Sequence, residues 1–161
     1  MSFGNNGAVS TISQINHGGQ YLADVAGLSI KPYVDFEDGL PMGLIVQLKA
    51  GVLSALDGTA DAVIAGVSKF DMSRTIEEGA VYTSNALVHY DLVNVIEMGI
   101  VSIPLATGAA PTEKAPVYYI NDGADAGKVT QDSGATNAVL LQYAEFYREV
   151  KEDAIWQIRL R

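Results

Sequence analysis

The chain has 161 residues and a net charge of −9, because 19 Asp and Glu outnumber 10 Lys and Arg. The basic residues are scattered singly, which argues against a nucleic-acid partner, since neutralising phosphates requires clustered Lys and Arg. Charged residues make up only 18% of the chain and hydrophobic residues 48%. We therefore expect other subunits to cover part of the apolar surface, in a homo-oligomer that is either a dimer or a trimer.

Cysteine and long apolar runs are both missing from the sequence. The first absence excludes disulfides, thiolate nucleophiles and cysteine-type zinc sites. The second leads us to expect no membrane partner, since a spanning helix needs about 18 or more consecutive apolar residues.

Residues 1–20 are rich in Gly, Asn, Ser and Gln and offer little apolar surface to offset the entropy of ordering. The composition predicts a flexible N-terminal arm over residues 1–20, followed by a single β-rich domain over residues 21–161. Such an arm could order on contact with a neighbouring subunit, or it could simply be a disordered terminus. If it is a clasp, its candidate contact residues are Phe3, Asn5, Asn6, Ile12 and Ile15.

Short apolar runs separated by Gly, Asp, Asn and Pro follow the arm and are typical of an all-β, mainly antiparallel sandwich or barrel. The predicted strands are residues 44–49, 62–68, 80–84, 87–90, 92–103, 117–120, 138–143 and 154–160. Residues tolerant of positive φ punctuate them, as in Asp57-Gly58 and Asp132-Ser133-Gly134.

Burial and helical alternatives can be read from the same runs. Residues 154–160 alternate apolar and polar side chains and predict a strand with one buried face. Residues 62–67 and 138–141 lack polar alternation, which predicts strands covered on both faces. Residues 91–98 and 144–151 carry spacings that also fit one or two short helices.

An internal repeat connects the two halves of the chain. The segment beginning at Asp61, DAVIAGVSKF, aligns with the segment beginning at Asn137, NAVLLQYAEF. Each copy follows a strand, a glycine-containing connection, a short strand and an Asp/Gly turn, which predicts a pseudo-repeat. The alternative is that two strands after similar turns merely look alike.

Candidate catalytic chemistry is sparse. His17 and His89 lie in different contexts, and the acidic groups around Asp35, Glu77 and Asp122 do not match a calcium-loop spacing. We expect no catalytic, cofactor-binding or metal-ligating residues. The aromatic residues of the second half are instead candidates for core packing or for oligomer and other protein contacts: Tyr118, Tyr119, Tyr143, Phe146 and Tyr147.

A series of short motifs accompanies the predicted strands: Gly43-Leu44-Ile45-Val46-Gln47-Leu48, Asp57-Gly58-Thr59, Ala65-Gly66-Val67-Ser68, Glu78-Gly79-Ala80-Val81, Pro116-Val117-Tyr118-Tyr119 and Gly127-Lys128-Val129. This order of glycines and strands resembles the structural cement proteins, a family of tailed-bacteriophage capsid decoration proteins. The second copy of the repeat departs from the family pattern, since it reads Leu141-Gln142-Tyr143-Ala144 without a glycine, and residues 146–153 are longer and more charged than expected.

The resemblance implies a non-enzymatic virion protein on the exterior of the capsid, present in the host cytoplasm during assembly. It would bind major capsid protein subunits and bridge them. Two alternatives remain at this point. One is another phage structural part, such as a head fibre, tail or baseplate β-domain, and the other is a small oligomeric β-barrel enzyme with its site between subunits.

Overall fold

Antiparallel strand pairing dominates the computed structural model, which describes residues 27–31, 40–41, 43–49, 51–69, 86–87, 93–150 and 154–161. Every pairing between its strands is antiparallel, and no helix occurs in these ranges. The predicted all-β class is therefore confirmed. The strands are β1 (Gly27–Lys31), β2 (Leu40–Pro41), β3 (Ile45–Lys49), β4 (Val52–Ser54), β5 (Val63–Ser68), β6 (Ala86–Leu87), β7 (Val93–Pro104), β8 (Pro116–Ile120), β9 (Val129–Thr130), β10 (Ala138–Val150) and β11 (Ile155–Leu160).

The main sheet has the strand order β4-β3-β5-β7-β11-β10-β8-β9, with β1 paired to β7, while β2 and β6 form a separate two-stranded ladder. The two halves of the sheet have the same connectivity when each is followed from its outer edge toward the centre. On one side β3 pairs with β4 and β5, and on the other β8 pairs with β9 and β10. The pair β7–β11 joins the two sides. The topology thus supports the predicted internal repeat as a pseudo-twofold arrangement.

Backbone geometry supports the same alignment of the two halves. Asp61 has a φ of 59° and Asn137 has a φ of 60°, so both precede their strand in the left-handed conformation. Asp and Asn tolerate this region better than most residues because their short polar side chains bond locally. The two repeat copies therefore begin with the same backbone turn.

The two helical alternatives are wrong. Residues 93–104 form one continuous strand, and residues 144–150 belong to β10, which pairs with β11 along that length. Helical spacing over fewer than ten residues is weak because a short helix gains little over its nucleation cost. Pairing on a sheet with apolar partners on one face overrides it. The predicted strand at residues 80–84 lies outside the described residues, as does the predicted arm.

Burial along three strands also differs from expectation. In β11, Gln157 is only 2% exposed, so both faces of this strand are covered rather than one. This follows from its position in the middle of the sheet, between β7 and β10. The reverse holds for β5 and β10, where Val63, Val139 and Leu140 are exposed although their runs predicted cover on both faces.

The core is built from both halves of the sheet, which curls so that they pack together. Phe146 is fully buried and meets Trp156 edge to face, with ring centroids 5.6 Å apart. The backbone N–H of Ile45 donates to the Gly127 carbonyl at 2.9 Å, which joins the first half to a turn of the second. The cluster consists of Ile45, Leu56, Val67, Ile96, Val101, Ile103, Leu105, Val117, Tyr119, Val129, Phe146, Trp156, Ile158 and Leu160.

Candidate contact surface

The structure divides the aromatic candidates between the core and the surface. Phe146 and Tyr119 are buried in the core, and Tyr118 is half-buried on β8. Tyr143 is 76% exposed, and Tyr147 is also exposed. The surface set is therefore centred on β10. The arm candidates Phe3, Asn5, Asn6, Ile12 and Ile15 lie outside the described residues.

Tyr143 projects from a wide irregularity in β10. Between Leu140, opposite Tyr118, and Glu145, opposite Pro116, five residues of β10 advance against two of β8. Tyr143 takes a φ of 61° there, a conformation that a bulky residue adopts only when its surroundings impose it. Its carbonyl accepts a hydrogen bond from the Arg161 backbone N–H at 3.0 Å, which fixes the turn and presents the ring outward.

Charged partners hold the surface beside this ring in place. Glu145 Oε1 accepts from Arg159 Nη1 at 2.8 Å and from Arg161 Nη2 at 2.6 Å. The Arg159 guanidinium carbon lies 4.4 Å from the centre of the Tyr147 ring, a cation–π contact. We call Tyr143, Glu145, Tyr147, Arg159 and Arg161 the tyrosine–arginine surface.

Tyrosine and arginine are the residues most enriched at the energetic centres of protein interfaces. Here the two Arg side chains are already oriented by Glu145, so binding would cost less side-chain entropy than ordering free arginines. Arg159 and Arg161 could not be recognised as site residues from the sequence alone. They reach Glu145 only because β11 pairs with β10 in this register.

A second surface feature is a groove of about 510 Å³ between β5 and β10. Its walls carry Val63 and Leu140, which are 63% and 48% exposed, together with the partly buried Ile64 and Leu141. These residues come from the two copies of the internal repeat. Residues from the runs 62–67 and 138–141, which lack polar alternation, form walls of this groove. Their apolar pattern predicted strands buried on both faces, whereas here it marks exposed apolar surface.

Several acidic residues of the described loops and turns are engaged in structural hydrogen bonds. Asp57 accepts from Lys49 Nζ at 2.7 Å and from Gln47 Nε2 at 3.0 Å, and these bonds and those from Thr59 hold its pKa well below the usual range. Asp122 accepts from the Gly123 N–H at 2.8 Å. Within the described ranges, no group of three or more His, Asp or Glu residues is placed to hold a metal ion. The same part of the chain contains no helix long and apolar enough to cross a membrane.

Asp125 joins two turns and gives a prediction about acid stability. It accepts from Lys128 Nζ at 2.7 Å and from the Thr107 N–H at 2.8 Å, and these bonds lower its pKa to about 2. Because the folded pKa is below the unfolded value, this carboxylate stabilises the fold above about pH 4 and loses that effect as the pH falls toward 2. We expect Asp125→Asn to lower the free energy of unfolding by about 1 kcal/mol at pH 7.

Urea denaturation of both proteins at pH 7, 4 and 3 measures this effect. The difference between wild type and Asp125→Asn should be nearly as large at pH 4 as at pH 7 and clearly smaller at pH 3. A difference that is constant across the three values would contradict the role assigned to the Asp125 carboxylate.

Comparison with known proteins identifies the class of protein to which this chain belongs. A chain from the solved structure of the capsid of Myoviridae phage XM1 matches with a TM-score of 0.75 and 30% sequence identity, over 90% of this chain and 89% of that chain. The protein is thus a phage structural protein of the capsid. Residues 1–160 match the family model described as XM1 gp53 minor capsid protein, and the chain belongs to this family. Among curated proteins, none matches the sequence.

The predicted resemblance to a phage capsid-associated family is confirmed by these matches. Membership also associates the protein with the virion and implies contact with capsid proteins. The family match extends through the N-terminal residues in which the candidate arm contacts lie.

Proposed function

We propose that this protein is a capsid decoration, or cement, protein, which binds the outer surface of the assembled capsid and bridges major capsid protein subunits. The observation that carries the proposal is the tyrosine–arginine surface in a member of a minor capsid protein family. Tyr143 is held in a costly backbone conformation and exposes most of its ring. Such strain at the surface is typical of residues that serve recognition.

The charge of the chain favours the outer face of the shell. A net charge of −9 repels packaged DNA, whose phosphates attract basic surfaces. Cement proteins also need no tight single contact, because many identical weak contacts on one shell add up through multivalency. The role we propose is accordingly structural and involves no catalytic step and no cofactor. Its partners are other copies of this chain, in a homo-oligomer, and the major capsid protein.

Cryo-electron microscopy of intact virions, combined with quantitative mass spectrometry, tests the proposal. We expect density for this chain on the capsid exterior, in contact with more than one major capsid protein subunit, and a copy number comparable to that of the shell. Density confined to the tail, a baseplate or a head fibre, at a few copies per particle, would refute it in favour of another structural role. Density on the inner face would also refute it.

The N-terminal arm is proposed as a clasp on a neighbouring subunit. Deleting residues 1–19 should leave the domain folded, because the core cluster of the described residues lies between Ile45 and Leu160. Attachment to capsids should fall at the same time. Circular dichroism and co-sedimentation with capsids measure the two effects, and unchanged occupancy of the truncated chain would contradict the clasp.

A further inference from the structure

The apolar groove lies between two strand edges that lack neighbours in the described sheet. β5 pairs with β7 at Val67 and Ser68, and Gly66 lies against β7, so Val63–Ala65 has no partner strand on that side among the described residues. β10 pairs with β11 from Ala144 onward, and the Tyr143 carbonyl bonds to the Arg161 N–H just beyond β11. Among the described residues, Ala138–Gln142 is likewise unpaired on the side of β11. The two edges run along the groove whose walls they form.

Unpaired edges beside apolar side chains are the usual template for adding an extended segment to a sheet. Backbone groups of the added strand bond to the edge, and its alternate side chains enter the apolar pocket. With a volume of about 510 Å³, the groove accommodates a few branched aliphatic side chains. Its described lining residues include a single carboxylate, Glu97, and a single guanidinium, Arg161. The occupant that fits is therefore an uncharged, aliphatic, extended segment.

The N-terminal part of this chain has that composition. Residues 1–23 contain no Asp, Glu, Lys or Arg, and residues 7–16 read GAVSTISQIN, with β-branched Val9, Thr11, Ile12 and Ile15. β-Branched residues favour extended strands. This stretch also accounts for the arm candidates Ile12 and Ile15.

The point at which this segment joins the fold lies beside the groove. β1 begins at Gly27, opposite Met98 of β7, and Met98 follows Glu97, which lines the groove. The eleven positions from Asn16 to Gly27 can span up to about 36 Å when extended. Val63 and Leu140 are exposed on the walls of the groove, which therefore offers apolar surface to a second copy of the chain.

We propose that residues 7–16 of a second copy of this chain add as a strand in the groove between β5 and β10. The N-terminal segment joins the fold at Gly27, beside the groove. Two copies that face each other can therefore exchange their segments reciprocally across a twofold axis. The proposal rests on the proposed clasp role of the arm and names its docking site. It also explains the low fraction of charged residues, because surface that is buried between copies does not need charged side chains.

Because the native chain has no cysteine, engineered cysteines give a direct test. Full-length Ile12→Cys and Leu140→Cys chains, one carrying a tag, are mixed and oxidised. A disulfide between the two singly substituted copies can only be intermolecular. We expect about tenfold more of this heterodimer than with the matched pair Ile12→Cys and Glu113→Cys, whose second position is exposed but does not line the groove.

Two results would overturn the proposal. One is a heterodimer yield equal to that of the Glu113→Cys control. The other is a doubly substituted Ile12→Cys, Leu140→Cys chain that cross-links only within itself, which would place the segment in its own groove. A groove filled by the major capsid protein would give the first result in solution.

Sedimentation equilibrium of Leu140→Asp and Val63→Asp provides a second measurement. Both side chains are exposed, so these variants should fold as the wild type does, and their self-association should weaken by about tenfold or more. Unchanged self-association would count against the groove. Capsid binding of the cysteine-substituted chains separates the two proposals. Capsid attachment without cross-linking would refute the groove alone, and cross-linking without attachment would refute the decoration role alone.

Discussion

Replacing Gly66 with alanine is expected to lower the free energy of unfolding by about 3–5 kcal/mol, a large part of the roughly 5–15 kcal/mol that holds a typical domain together. Gly66 has a φ of 131°, which L side chains rarely adopt. A Cβ atom added there would lie 2.5 Å from the Ile96 carbonyl oxygen and 2.8 Å from Val95 Cγ1. The clash is mainly with backbone, so no side-chain rotation relieves it.

The register explains why this glycine is so tightly placed. β5 bulges against β3 between the pairs Val46–Gly66 and Gln47–Ile64, and immediately afterwards it joins β7 through Val67. The bulge brings the Gly66 backbone against β7. An alanine would push β5 away from the centre of the sheet and open the core around the buried Val67 and Ile96.

Thermal unfolding followed by circular dichroism measures the effect, and we expect the Tm of Gly66→Ala to fall by about 10–15 °C. Gly108→Ala is the matched control, because Gly108 also has positive φ, at 77°, but open space where its Cβ would be. That variant should lose only about 1 kcal/mol from the backbone conformation. Equal losses in both variants would show that contact with Ile96 does not matter.

Close backbone contacts of this kind explain why glycine occurs in two of the motifs that resemble the cement-protein family. Gly66 lies within Ala65-Gly66-Val67-Ser68, and Gly127 begins Gly127-Lys128-Val129. A Cβ on Gly127 would lie 2.9 Å from the Ile45 carbonyl oxygen, at the point where the two halves of the sheet are hydrogen-bonded. These two glycines thus lie where backbone segments approach each other too closely for a Cβ atom. They report the fold of the family rather than its binding partners.

Strand prediction from the sequence succeeded where apolar runs were long enough to show a pattern. β3, β5, β8 and β11 begin and end within a residue of their predicted bounds. The strands β4 and β9 have only three and two residues, too few for any periodicity, and each pairs with a longer strand, β3 or β8. The helical alternatives failed for the same reason, since pairing partners are not visible in a local window.

The candidate surface was only half visible in the sequence. Tyr143 and Tyr147 could be named because aromatic residues stand out in composition, but nothing local distinguished them from buried Phe146. The arginines and the groove depend on register. One bulge in β10 separates Phe146, opposite Ile158, from Arg148, opposite Gln157, and leaves Tyr147 as the extra residue beside Arg159. A one-residue change of register would move these side chains to the other face.

Comparison of the two repeat copies shows how the surface arose from the fold. Gln142 stands in the second copy where Gly66 stands in the first, and Tyr143 stands where Val67 stands. The first copy lies tightly on β7 and buries Val67. The second copy lacks the glycine, departs from β8 in a wide irregularity and exposes Tyr143. Loss of one glycine from the duplicated pattern thus coincides with the appearance of a contact residue.

Replacing Tyr143 with asparagine should therefore separate recognition from stability. Asparagine tolerates the left-handed backbone conformation of this position better than tyrosine does, so we expect the Tm to stay constant or rise slightly. The exposed ring is lost, however, and truncating an aromatic residue at the centre of an interface commonly costs about 2 kcal/mol of binding energy or more. The expected result is about a 30-fold weaker affinity for capsids.

Titration of capsids that lack this protein, with bound chain counted after sedimentation, measures the loss. Tyr143→Phe keeps the ring and should bind nearly as well as wild type, whereas Arg159→Ala should weaken binding by releasing Tyr147 and one partner of Glu145. Glu113→Ala, an exposed change outside the five residues of this surface, controls for general charge effects. Wild-type affinity in Tyr143→Asn would contradict the role in capsid binding assigned to the exposed tyrosine ring.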